Sequence, residues 1–282
     1  MELPAAAPAA ADRRAGVRAS VICAFRLALV VGAAAATGCA IRSPHLPGWL
    51  PLVHPIRSTA KSPTLFAEPF DALEPARWKE VEVKGRTAYT IEELDGSRVL
   101  KAHSQGGASI LLSPFRFDPQ DYPWLSWRWR VDRFAEGEAL ERKEGSDAAA
   151  RIYVYFETPG LPWQKRNLDY VWSAVLPAET MLASAFSPSS KILVVESGPT
   201  GLGQWRSVTR NIPEDYRRGF GKEAPDVVAI GIMTDTDTTQ SEAIAFFDDI
   251  MITRQPPTAA GAPASPVPIG QSDSMQQGTE RH

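Results

Sequence analysis

The chain has 282 residues, a formal net charge of −3, 44% hydrophobic residues and two cysteines. So mild an acidity offers no attractive field to a phosphate backbone, which sets nucleic acid aside as a partner. Cys23 and Cys39 both precede the region that reads as folded, so disulfides, thiol catalysis and cysteine-based zinc sites are excluded from it.

Residues 1–38 have the layout of an export signal. Arg13, Arg14 and Arg18 come before an apolar, alanine-rich run that ends in small residues. The run is short of the roughly 20 strongly apolar residues that a comfortable membrane span needs. Its end, Ala36-Thr37-Gly38-Cys39, resembles the lipobox of bacterial lipoproteins, which implies acylation of Cys39. Ala40 after the cysteine implies an outer-membrane address facing the periplasm. Residues 39–64 hold five prolines and no periodicity, and read as a tether. Residues 255–282 are rich in Pro, Ala, Ser and Gln and are expected to be disordered, because they bury too little to offset their ordering entropy.

Between these lies one domain, residues 65–254, in which alternation with period two recurs. "WLSWRWRVD" sets Leu125, Trp127, Trp129 and Val131 against Ser126, Arg128, Arg130 and Asp132. "ARIYVYFE" sets Ile152, Val154 and Phe156 against Arg151, Tyr153, Tyr155 and Glu157. Further strand-like runs are 97–103, 108–113, 168–175, 191–197, 205–212, 227–234 and 243–253, separated by turn-forming clusters. "PEDYRRG" is the one short helix, with Pro213 at its start and Arg217 and Arg218 near its end. The expected fold is all-β, an antiparallel jelly-roll sandwich with one short helix.

The segments "SDAAARIYVYF", "LDYVWS", "VVESG", "WRSVTRNIPEDYRRGFGKEAPDVVAIGIMTDTDTT" and "FFDDI" together resemble an uncharacterised family of exported bacterial proteins, known as a domain of unknown function. That resemblance supplies relatives but no activity or site residues. It implies a fold similar to the jelly rolls of carbohydrate-binding modules, which commonly open with a Phe-Asp segment, here "FAEPFDAL".

The aspartates raise the functional question. Asp235 and Asp237 are two apart in an extended chain, so their β-carbons leave one face about 6–7 Å apart. Three occupants suit the space between them: a Ca²⁺ ion, an arginine, for which Arg128, Arg151, Arg206 and Arg210 are candidates, or the hydroxyls of a sugar. Asp248 and Asp249 are adjacent and must face opposite ways. The alternation Ile244, Phe246, Asp248, Ile250, Ile252 makes Asp248 the inward one unless a bulge turns it outward; inward, it is to be matched by an arginine or by a structural calcium shared with Glu68 or Asp71. His103 is the only histidine of the domain and reads as structural, and no catalytic residue is assigned.

Tyr153 and Tyr155 share a face with Arg151 and Glu157, and Trp163 stands at a loop tip beyond them. If strand 124–132 is their neighbour, Arg128 and Arg130 join that face. Flat rings beside directional hydrogen-bonding groups suit a glycan. Trp78, Trp127, Trp129 and Trp205 read as packing residues. The function expected is a lipid-anchored cell-envelope module that binds a polysaccharide or cell-wall glycan. The alternatives are a carbohydrate-active hydrolase or lyase, or a protein–protein adaptor of an envelope assembly. A structural calcium is the cofactor to look for.

Overall fold

The computed structural model describes residues 62–158 and 166–257. The export signal, Cys39, most of the tether, Trp163 and the tail from residue 258 lie outside the described residues.

The strands are β1 (Thr64–Glu68), β2 (Lys79–Lys84), β3 (Thr87–Leu94), β4 (Ser97–Gln105), β5 (Ala108–Phe117), β6 (Trp124–Arg133) and β7 (Ala150–Phe156). They continue with β8 (Arg166–Ser173), β9 (Met181–Ser184), β10 (Ser187–Ser197), β11 (Arg206–Asn211), β12 (Val227–Asp235) and β13 (Glu242–Thr253). A six-stranded sheet runs β11-β6-β13-β4-β3, with β1 also paired to β13. A seven-stranded sheet runs β2-β5-β12-β7-β8-β10-β9. Pairing is antiparallel except between β8 and β10. The result is a jelly-roll β-sandwich. Each run that alternates in the sequence forms a strand, and β1, β2, β3 and β9 are additional.

Alternation sorts side chains as a two-layer domain requires. Leu125, Trp127, Trp129 and Val131 of β6 meet Ile152, Val154 and Phe156 of β7 and Tyr170 and Trp172 of β8 in one core. Trp127 and Trp129 pack edge to face with centroids 5.2 Å apart, and Trp129 reaches Trp172 at 6.1 Å. Removing either indole costs about 3–5 kcal/mol, as large-to-small core changes do.

The single α-helix among the described residues, α1 (Ile212–Phe220), is placed as its sequence demands. Asn211 caps it by accepting the Glu214 N–H, and Gly221 closes it in the left-handed region at φ 66°. Tyr216 packs on Phe156 at 4.5 Å, and Asp215 accepts from Tyr170 Oη at 3.0 Å.

One register detail decides the site. β13 does not alternate without interruption. Asp249 has φ 49°, and the pairing with β6 shifts between Asp248 and Met251. This bulge places Ala243, Ala245 and Phe247 in the core before it, and Ile250 and Ile252 after it. Asp248 therefore follows Ile244 and Phe246 on the outer side of the sheet. The inward placement that plain alternation gives is corrected and the bulge alternative is the one realised: the bulge absorbs one residue, so the two halves of β13 are out of phase.

Candidate functional site

On the outer face of the six-stranded sheet, charged and aromatic groups gather around the bulge. Arg128 pairs with buried Asp248 and with half-exposed Asp249, its Nε lying 2.8 Å from Asp249 Oδ2. The Arg128 guanidinium lies 5.0 Å from the ring centre of Trp205, whose Nε1 donates to Asp95 at 3.2 Å. Arg130 donates to Asp132 at 2.6 Å and lies 3.5 Å from the same Asp95 carboxylate. Phe246 lies beneath, with Arg130 and Lys101 over its ring at 5.7 and 5.9 Å. The Asp95 side chain is 62% exposed and that of Asp249 51%, so the array borders solvent. Trp205, read as packing from the sequence, is half-buried and belongs to this face.

The outer face of the seven-stranded sheet differs. Tyr153 and Tyr155 stack with centroids 5.5 Å apart, and they are only 3% and 1% exposed. Tyr155 lies across β12 at Gly231, where an added Cβ would meet its ring at 3.5 Å and Ile110 Cγ2 at 3.0 Å. Burial pushes both phenols well above their ordinary pKa. The expected open aromatic face is therefore corrected: the rings are packed among Ile110, Leu112, Ala229 and Met233. Its expected partners are corrected too. β7 pairs with β12 and β8, while β6 belongs to the other sheet, so Arg128 and Arg130 never meet the tyrosines. Glu157 instead pairs with Arg116 at the strand end.

Beside the tyrosines, Arg151 is 3% exposed and holds two acids. It lies 2.8 Å from Asp235 Oδ1 and 2.7 Å from Asp169 Oδ2. Asp235 also accepts the Ala148 N–H at 3.1 Å. Of the four candidate arginines, Arg151 is the one that pairs with Asp235. Asp237 is held differently, with Lys84 Nζ 3.7 Å from its Oδ2. A third acid joins them that the sequence reading did not single out. Asp147, from the β6–β7 connection, accepts the backbone N–H groups of Thr238 (3.1 Å) and Thr239 (2.6 Å). One carboxylate oxygen from each of Asp147, Asp235 and Asp237 lies within 4.8 Å of the others, and all three residues are buried. Burial, reinforced by the neighbouring Asp147, raises the carboxyl pKa of Asp235 and Asp237, while Arg151 and Lys84 oppose the shift. Three clustered carboxylates with oxygen-only donors suit a hard cation such as Ca²⁺.

The other proposed metal group is not assembled. Glu68 accepts from Trp78 Nε1 (2.8 Å), Arg77 (3.0 Å) and the Phe70 N–H (3.1 Å), which uses both its oxygens. Asp71 is exposed, and Asp248 and Asp249 belong to Arg128. His103 reads as structural, half-buried against Glu242 at 2.7 Å.

No curated protein matches it. Among solved structures it is similar to the cellulose induced protein Cip1, with 11% identity over 68% of this chain and 98% of that one at a TM-score of 0.38. A family 30 carbohydrate binding module gives 13% identity, 72% and 89% coverage and a TM-score of 0.33. The xyloglucanase domain of NopAA, a type three effector from Sinorhizobium fredii, gives 10% identity, 69% and 99% coverage and a TM-score of 0.38. The family described as "Protein of unknown function (DUF3047)" matches residues 76–251, and the chain belongs to that family.

Proposed function

We propose that this protein is a non-catalytic glycan-binding module held at the bacterial cell envelope by a lipid on Cys39. The observation that carries the reading is the array around the β13 bulge: the Trp205 indole, Arg128, Arg130, Asp95, Asp132 and Asp249 on one solvent-bordering sheet face. An indole offers its face to the C–H side of a sugar ring, and the surrounding ions offer donors and acceptors to hydroxyls. Mutual pairing fixes these groups in advance, which lowers the ordering cost of binding. Asp235 and Asp237, whose spacing would suit the two carboxyls of a glycosidase, are buried and engaged by Arg151 and Lys84, which favours binding over hydrolysis. Asp147, Asp235 and Asp237 would hold a structural calcium that ties the β6–β7 connection to the end of β12.

The full-length protein in detergent, screened on a glycan array, is expected to retain a defined oligosaccharide. Trp205→Ala should weaken that binding about tenfold, or roughly 1.4 kcal/mol. Absence of glycan binding, or binding indifferent to Trp205→Ala, overturns the reading. The anchor is tested separately: Cys39→Ser should release the protein from membranes, and retention would refute lipidation there.

A further inference from the structure

The array around the β13 bulge has a charge balance as well as a shape. Each of its cations already faces an acid. Lys101 donates to Glu92 at 3.0 Å. Arg128 pairs with Asp248 and Asp249, and Arg130 with Asp132 and Asp95. Three cations thus stand against five carboxylates, a formal surplus of two negative charges. Burial raises the pKa of Asp248, and with that acid protonated one surplus charge still remains. The neighbouring cations do not restore the balance. Arg98 is opposite Glu93 in the β3–β4 hairpin, and Arg206 interacts with the Glu196 carboxyl.

The hydrogen-bonding capacity left at the rim has the same sign. Arg130 directs Nε and Nη2 at the two oxygens of Asp132, at 2.6 and 3.2 Å. The fork that would grip a carboxylate or sulfate of a ligand is therefore occupied. Arg128 is divided between two carboxylates and lies over Trp205. The acids are less fully engaged. Asp95 meets Trp205 and Arg130 through Oδ2, and Asp249 meets Arg128 through Oδ2. Oδ1 of each accepts no side-chain hydrogen bond among the described residues, and these two side chains are the most exposed of the five acids. What borders solvent around the indole is acceptors and negative charge.

Given glycan binding at this face, on which the inference rests, we propose that the glycan carries no anionic group and that one bearing a free amine is preferred, its ammonium drawn to the rim where Asp95 and Asp249 are exposed. An ammonium brings three donors and a positive charge to this surplus. A hydroxyl brings one donor and no charge. A uronate, sulfate or phosphate brings acceptors and repulsion.

The test is a glycan array read with the full-length protein in detergent, carrying matched oligosaccharides in free-amine, neutral and uronate- or sulfate-bearing forms. The expected order is amine above neutral above anionic, with the amine and anionic forms of one backbone about fivefold apart at low salt. In about 1 M salt, where the screening length is about 3 Å, that ratio should shrink toward one. Asp95→Asn combined with Asp249→Asn should shrink it too. Asparagine suits both positions, since their φ values are 55° and 49° and Asn-Gly favours the turn that Asp95-Gly96 makes. Arg130→Ala removes a cation instead, and should widen the ratio whatever it does to affinity as a whole. The salt comparison needs no variant, so it decides even if the double change folds poorly. Anionic forms bound as well as neutral ones, or a ratio indifferent to salt and to the double change, overturn this inference and leave glycan binding standing. No glycan bound at all overturns the proposed function, and this inference with it.

Discussion

The outer faces of the two sheets carry the same kinds of residue and treat them in opposite ways. On the six-stranded sheet, arginines pair with acids at the border of solvent, and Trp205 stands among them half-exposed. On the seven-stranded sheet, Arg151, Asp169 and Asp235 form a buried triad beside two stacked, buried tyrosines. An ion pair at the first face contributes little to stability and is available to a ligand. At the second, removing one partner strands a charge in a medium that solvates it poorly. The same alternating pattern thus yields ion pairs at the border of solvent on one side of the molecule and a buried structural element on the other.

The sharpest way to break this contrast is Arg151→Met. It leaves Asp169 and Asp235 buried without their cation, and a loss of about 3–5 kcal/mol in chemical denaturation is expected. A loss within about 0.5 kcal/mol, the usual range of a surface change, would mean that the triad is solvated after all.

The acid cluster gives the next effect. Calcium at a hundred times its Kd should add about 2.7 kcal/mol, raising the melting midpoint by about 5–10 °C over protein in chelator. Asp147→Asn should remove most of that difference. pH supplies the sign. Asp235 and Asp237 have folded-state pKa values raised above those of the unfolded chain. Without metal, the folded state therefore holds the protons more tightly, and stability falls as pH rises from the ordinary carboxylate range through the raised values. With calcium, which needs the ionised carboxylates, that decline should flatten or reverse. Identical melting profiles in calcium and chelator at every pH would remove the ion from the account.

These contrasts also show what the sequence could and could not reveal. Alternation identified the inward faces of β6 and β7 correctly, because filling the core imposes period two on any strand that borders it. Alternation is silent about whether the outer face of a strand is covered, so Tyr153 and Tyr155 read as open when they are packed over Gly231. It also fails across a bulge, where one extra residue reverses the phase, so alternation alone sets Asp248 inward and only the bulge alternative sets it on the outer side. Asp147 escaped notice because its partners lie 88 to 90 positions further along the chain, and spacing arguments work over a few residues. β3 was missed although its signal was present: Asp95-Gly96 between apolar runs is a strong hairpin cue. Trp205 reads as a packing residue from the sequence; what brings it to the surface array is the guanidinium of Arg128, a contact between strands.

The smallest stability effect is the most informative about function. Among the described residues Arg130 ion-pairs with Asp132 and the exposed Asp95 and lies over the Phe246 ring. Pairs to partners that border solvent are worth about 0.2–1 kcal/mol, so Arg130→Ala should move the melting midpoint by no more than a few degrees. If the face recognises a glycan, the same change removes a fixed fork of donors from the array and frees Asp95 and Asp132 to move. Affinity for the glycan should then fall about tenfold while the fold is unaltered, whereas Arg151→Met should damage both together. A glycan affinity that tracks the melting midpoint through both variants would show that the two faces do not divide recognition from stability.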